Sequence, residues 1–169
     1  LPGFGDSGPE HWQSLWERTL PFARRVDFGD WNRPSRDRWT SRLDAAVTSC
    51  REPPVLVAHS LGVIAVVWWA AVYDAPVRAA LLVAAPDMTR TDLPAEVLAF
   101  GAPPLVRLRF DAVLASSSND PYCELRRSQT LAKAWGARFV DLGPAGHVNA
   151  DSGHGPWPMG ERLLTEMLA

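Results

Sequence analysis

The sequence predicts an α/β protein, with a mostly parallel sheet and helices on both faces. Three observations lead there. Short apolar or β-branched runs alternate with longer stretches of helical periodicity, the pattern of strands joined by helical crossovers. The short runs are apolar at consecutive positions, as in Pro54-Val55-Leu56-Val57-Ala58-His59, which suits strands covered on both sides. The chain has 169 residues, enough for one core of ordinary size, so residues 1–169 read as a single domain. Hydrophobic residues make up 47% and charged residues 21%, a globular mixture and not that of a disordered chain.

The elements follow in order. Leu1-Pro2-Gly3 opens the chain without a strand before it, so the first strand of the fold is expected upstream of Leu1. Pro9 to Leu20 reads as a helix, with Ser7 or Asp6 near its cap and Trp12 and Trp16 one turn apart. Arg24 to Asp27 is a strand candidate. Ser35 to Cys50 follows Pro34 and puts Trp39, Leu43, Ala46 and Val47 on one helical face. Pro54 to His59 is a buried strand, and Leu61 to Tyr73, apolar all round, a buried helix. Arg78 to Ala84 and Ala112 to Ala115 are two more strands, each running into a turn-rich segment. Tyr122 to Trp135 is a helix, Ala137 to Leu142 a strand, and Met159 to Leu168 a closing helix after Pro158.

Composition excludes several functions. The formal net charge is −2, from 17 basic and 19 acidic side chains, which supplies no basic footprint for nucleic acid or for an anionic membrane. Leu61 to Tyr73 is the longest apolar stretch and falls short of the ~20 residues a membrane-spanning helix needs; no secretory signal is visible either. Cys50 and Cys123 make neither a disulfide framework nor a zinc-ligand spacing. A reduced, cytoplasmic setting without metal or organic cofactor is the expectation.

Chemistry concentrates at Ala58-His59-Ser60-Leu61-Gly62. A nucleophile elbow needs a strand, a sharp turn carrying the nucleophile, then a helix, with small residues where the backbones approach. The usual form is G-x-S-x-G, and here Ala58, one methyl larger, takes the first position. Val55-Leu56-Val57 before it and the apolar helix after it supply the context. The competing reading makes Ser60 an ordinary helix N-cap after a buried strand, and the context favours the elbow.

A serine hydroxyl needs a base, and the base an orienting acid. In folds with such an elbow the chain order is Ser, then Asp or Glu, then His. Two histidines follow Ser60. His147, in Gly143-Pro144-Ala145-Gly146-His147, comes just past the last strand, where the base belongs; His154 reads as a solvent-exposed loop residue. His59, beside Ser60 on a tight turn, points away and reads as a packing or hydrogen-bonding residue, and His11 precedes the elbow. For the acid, Asp120 and Asp87 both follow strands, and the strand two after the nucleophile usually carries it, which favours Asp120. Asp111 and Asp141 fall at or inside strands. The Asp87-Met88-Thr89-Arg90 loop is then expected to shape a pocket wall.

An oxyanion hole needs two backbone N–H donors. Leu61, next after the nucleophile, is one; Phe4, in Leu1-Pro2-Gly3-Phe4-Gly5, is the other, Gly3 letting the backbone turn close to the substrate. Eight tryptophans are expected mainly in the core, with Trp157 and Trp31 as candidates for the site wall. Cys123 reads as a small buried hydrophobe.

Four motifs in this order resemble the small serine hydrolases typified by retinoblastoma-binding protein 9 and its bacterial relatives: Leu1-Pro2-Gly3-Phe4-Gly5-Asp6-Ser7-Gly8-Pro9-Glu10-His11-Trp12, the Ala-His-Ser-Leu-Gly elbow, Ser118-Asn119-Asp120-Pro121-Tyr122-Cys123, and Gly146-His147-Val148-Asn149 through Trp157-Pro158. The resemblance runs over nearly the whole chain. It implies a minimal α/β-hydrolase fold without a large cap domain, and a triad on Ser60, Asp120 and His147. The Leu-x-Cys-x-Glu partner motif behind that family's name has no match in Tyr122-Cys123-Glu124-Leu125, so no retinoblastoma-type partner is expected. The expected function is hydrolysis of small carboxylic esters, or of amides, through an acyl-enzyme on Ser60. The alternative is a non-catalytic protein that keeps a hydrolase fold to hold a partner.

Overall fold

Alternate residues of the apolar runs serve two different cores, which is why those runs carry no polar face. The computed structural model describes residues 1–169. Strands β1 (Val55–His59), β2 (Ala79–Val83), β3 (Asp111–Ser116) and β4 (Arg138–Asp141) lie side by side, all parallel, in chain order. Leu56, Ala58, Ala80, Leu82, Ala112 and Leu114 face one core; Val55, Val57, Leu81, Val83, Val113 and Ala115 face the other.

The first core is closed by α2 (Arg36–Thr48), α3 (Leu61–Val72) and α5 (Leu125–Trp135). Nine of the twelve residues of α3 are buried, which matches its apolar circumference. The second core is closed by α1 (Trp12–Thr19) and α6 (Pro158–Leu168), through Trp12, Trp16, Leu163 and Leu164. A single short turn of helix, α4 (Ala95–Leu98), and a 3₁₀ turn, Ala150–Ser152, complete the elements. The result is a four-stranded parallel sheet with helices on both faces and no cap domain. No helix is long and apolar enough to cross a membrane.

Parallel orientation has one positional consequence: every strand ends at the same edge of the sheet. Ser60, Ala84, Ser117 and Leu142 therefore begin four loops at one rim, where ligands of open α/β sheets bind. The N-terminal segment joins that rim. The Leu1 nitrogen donates to the Val57 carbonyl at 2.8 Å and the His59 N–H donates to the Leu1 carbonyl at 3.0 Å, a parallel pairing on the outer edge of β1.

Two local expectations are corrected. Arg24 to Asp27 forms no strand. Arg25 instead reaches Asp6 Oδ1 at 2.5 Å, Glu17 Oε2 at 2.8 Å and Ser14 Oγ at 2.6 Å, so a side-chain network fixes this segment in place of a ladder. The first helix is capped by His11, whose Nδ1 accepts from the Gln13 N–H at 3.2 Å, and not by Ser7 or Asp6. The Ser7 hydroxyl donates to Gln13 Oε1 at 2.8 Å and its carbonyl accepts from Ser14 Oγ, which leaves it outside the helix.

Candidate active site

Ser60 stands between β1 and α3 with φ 54° and ψ −125°, a conformation that L-residues avoid. Holding it costs on the order of 1–3 kcal/mol, which the burial of β1 and α3 on either side offsets. The turn is tight enough to demand small neighbours. A Cβ on Gly62 would lie 2.5 Å from the Leu1 carbonyl oxygen and 2.6 Å from that of Pro2; one on Gly3 would lie 2.8 Å from Ser60 Cβ. Only glycine at both positions lets the N-terminal segment pass against the serine turn. Ala58 is fully buried, and its methyl group faces the first core.

Residues far apart in sequence converge on this serine. Ser60 Oγ–H donates to His147 Nε2 at 2.9 Å, and His147 Nδ1–H donates to both carboxylate oxygens of Asp120 at 3.0 Å. A carboxylate accepts only, so Nδ1 carries the proton and Nε2 presents its lone pair to the serine. The Asp120 side chain is almost fully buried, at 2% exposure. Its Oδ1 also accepts from the Tyr122 N–H at 2.9 Å.

Asp87, the other candidate acid, is engaged elsewhere. Its Oδ1 accepts from the Thr89 N–H at 3.1 Å, from Thr89 Oγ1 at 2.7 Å and from Arg127 Nε at 3.1 Å. Burial pushes this carboxyl upward, but the Thr89 hydrogen bonds and the Arg127 charge outweigh it and hold the group below its ordinary value. Asp111 starts β3 and Asp141 ends β4, where Asp141 Oδ1 accepts from the Gly143 N–H at 2.8 Å.

The two expected oxyanion donors both border the cleft. Leu61 is the first residue of α3, so its N–H has no partner within the helix; neither it nor the Phe4 N–H bonds to any protein acceptor. The cleft over Ser60 has a volume of about 350 Å³ and is bordered by Phe4, Leu61, Pro86, Val97, Tyr122 and His147, among others. Tyr122 stands edge-on to the His147 ring with centroids 4.6 Å apart.

Other expectations about the wall are corrected. Trp157 is buried against Trp12 and Trp16 in the second core, and Trp31 packs on Phe28 and Trp39; neither borders the cleft. The wall after β2 comes from Pro86, Pro94 and Val97 in place of residues 87–90. His154 is half-buried, not solvent-exposed, edge-on to Trp157, with its carbonyl accepting from the Trp12 N–H at 3.2 Å. Cys123 is buried and receives a hydrogen bond from Ser128 Oγ at 3.2 Å; burial raises its thiol to about 11.

Sequence reasoning missed the partner of His59. Its Nε2–H donates to the backbone carbonyl of His147 at 2.8 Å, across 88 residues of chain. No local pattern signals such a bond.

A serine, an imidazole and a carboxylate in one line at the strand-end rim of a parallel sheet define the class: an α/β-hydrolase-fold protein. The family model described as serine hydrolase matches residues 1–166, and the chain belongs to that family. This description is broader than the resemblance to retinoblastoma-binding protein 9. The chain is similar to the solved structure of a YdeN-like hydrolase from Pectobacterium atrosepticum, at 32% identity and a TM-score of 0.88, covering 99% of this chain and 87% of that one. The ydeN gene product of B. subtilis shares 19% identity at a TM-score of 0.73, covering 98% and 95%. An esterase domain from Rhodothermus marinus shares 23% at 0.52, covering 73% and 66%. The last two likenesses speak to fold alone. A search of curated proteins returned no match.

Proposed function

We propose that the protein is a carboxylesterase-like serine hydrolase in which Ser60, His147 and Asp120 act as nucleophile, base and acid. The observation that carries this reading is the pair of bonds on one imidazole, 2.9 Å to Ser60 Oγ and 3.0 Å to Asp120. His147 takes the serine proton as Oγ attacks the acyl carbon, and Asp120 stabilises the imidazolium that forms. The N–H groups of Leu61 and Phe4 receive the developing oxyanion. His147 then protonates the leaving alcohol, and water releases the acyl group by the same steps in reverse order. Amides are substrates of the same chemistry with a poorer leaving group.

The cleft favours small, uncharged substrates. At about 350 Å³ it lies near the lower end of the usual range of ~300–1,000 Å³, and no lysine or arginine borders it. A fluorophosphonate probe tests the proposal: mass spectrometry should find one adduct, on Ser60, and none after Ser60→Ala. An adduct on Ser116, Ser117 or Ser118 would relocate the nucleophile, and no adduct at all would favour the non-catalytic, partner-binding reading.

A further inference from the structure

The loop that carries His147 is held in an unfavourable shape. Gly143, Gly146 and Val148 all have positive φ, and Val148, at 50°, is β-branched, for which this conformation is a true outlier. Side chains from three other segments hold it. Ser117 Oγ accepts the Ala145 N–H at 2.9 Å and Asn119 Oδ1 accepts the Gly146 N–H at 2.7 Å. On the opposite side, Trp12 Nε1–H donates to the Val148 carbonyl at 2.8 Å and His59 Nε2–H to the His147 carbonyl at 2.8 Å. Of these four bonds, the one from His59 falls on His147 itself.

We infer that His59 is a positioning residue: its Nε2–H, bonded to the His147 carbonyl, holds the imidazole of His147 in line between Ser60 and Asp120. This rests on the reading of His147 as the base. His59 has little freedom of its own. It is the last residue of β1, with the Ser60 N–H next along the chain tied to the Val83 carbonyl at 2.9 Å. Its ring lies between those of His11 and His147, at centroid distances of 4.8 and 4.9 Å. With Nε2–H donating to a carbonyl, the neutral ring leaves Nδ1 unprotonated. Burial, and then the charge His147 would carry when protonated, keep His59 well below the ordinary histidine range, so the donor stays neutral while the base cycles.

Packing alone does not require histidine here. Phenylalanine fills similar space, but it leaves the His147 carbonyl without its donor, and a strained loop relieves an unpaired carbonyl by moving. Displacement of a base by about 1 Å costs up to ~100-fold in rate. Glutamine carries an amide N–H close to where Nε2 lies and restores the donor without the ring.

The test uses the full chain with p-nitrophenyl acetate. His59→Phe should lower kcat by about tenfold or more with KM changed by less than about twofold, and His59→Gln should return kcat to within about threefold of the parent. A Phe variant that retains kcat, or a Gln variant as slow as the Phe variant, overturns the inference. Long-range ¹⁵N–¹H spectra of the unmodified protein decide the matter independently of how either variant folds. They should show His59 as the neutral Nε2–H tautomer from pH 7 down to 5; an Nδ1–H tautomer, or ordinary titration in that range, overturns it. That readout involves no turnover, so it stands apart from the Ser60→Ala result that tests the proposed function.

Discussion

Two carboxylates at strand ends differ in what they touch, and that difference predicts their worth. Asp120 meets the imidazole of His147, whereas Asp87 is engaged by Thr89 and Arg127. Replacing the acid of a serine triad by its amide turns the imidazole to the wrong tautomer and costs ~10⁴-fold in the serine-protease template. Asp120→Asn should therefore lose several orders of magnitude in kcat. Asp87→Asn should lose less than about tenfold, an effect under about 1.4 kcal/mol. Steady-state kinetics on p-nitrophenyl acetate check both, and a crippled Asp87→Asn beside an active Asp120→Asn would place the acid one strand earlier. His11 gives a second residue-level expectation. Burial, with the Arg25 charge next, lowers its imidazole from 6.5 to about 4. Between those pH values the unfolded chain holds a proton that the folded chain refuses, so stability falls as pH falls and is fully present above about 6.5. The contribution is on the order of 3 kcal/mol. Melting temperatures should drop between pH 6.5 and 4, and His11→Asn, which keeps a good N-cap, should flatten that slope.

At the scale of elements, the N-terminal segment passes close against the start of α3. Gly62→Ala places a methyl group within 2.6 Å of two backbone oxygens that belong to residues 1 and 2. Neither oxygen can rotate away, so urea unfolding should report a loss of about 1–3 kcal/mol, the usual cost of overpacking. Activity should fall with it, because the same segment carries the Phe4 N–H proposed as an oxyanion donor. The elements legible in the sequence are those whose own residues dictate their burial. Val55-Leu56-Val57, Ala79 to Val83 and the all-apolar Leu61–Val72 have no polar face to offer water, so strand and helix are forced. The serine turn was legible for the same reason: strand, small residue, serine and helix are contiguous. What the sequence concealed depends on partners far along the chain. Arg24 to Asp27 has strand-like spacing, but Arg25 finds Asp6 and Glu17; Trp157 is near His147 in sequence, but Trp12 and Trp16 draw it into the opposite core. The bond from His59 to the His147 carbonyl is of the same kind.

The whole molecule spends its residues on one sheet and its helices and leaves the cleft without a cover. An extended acyl chain would meet solvent past Pro94, Val97 and Tyr122, where it gains little from burial. Acetyl and butyryl esters should therefore turn over faster than long-chain esters at equal concentration, measured as kcat/KM. Asp151 borders the cleft with no lysine or arginine among the bordering residues, while Asp6 is paired with Arg25, so an ester bearing a free carboxylate should react more slowly than a neutral one of equal length. Faster turnover of the long or anionic esters would contradict the open, acidic cleft as the determinant of selectivity.

The strict succession β1, β2, β3, β4 also orders events in time. Each strand pairs with the one made just before it, so the sheet grows in the direction of synthesis, without waiting for a distant partner. Ser60 belongs to the first strand's turn, Asp120 follows the third, and His147 follows the fourth. A ribosome-bound intermediate thus carries the serine before His147, its proposed base, has been made. On the proposed roles, reactivity arrives only with His147, after the strand turns that carry Ser60 and Asp120 have been made.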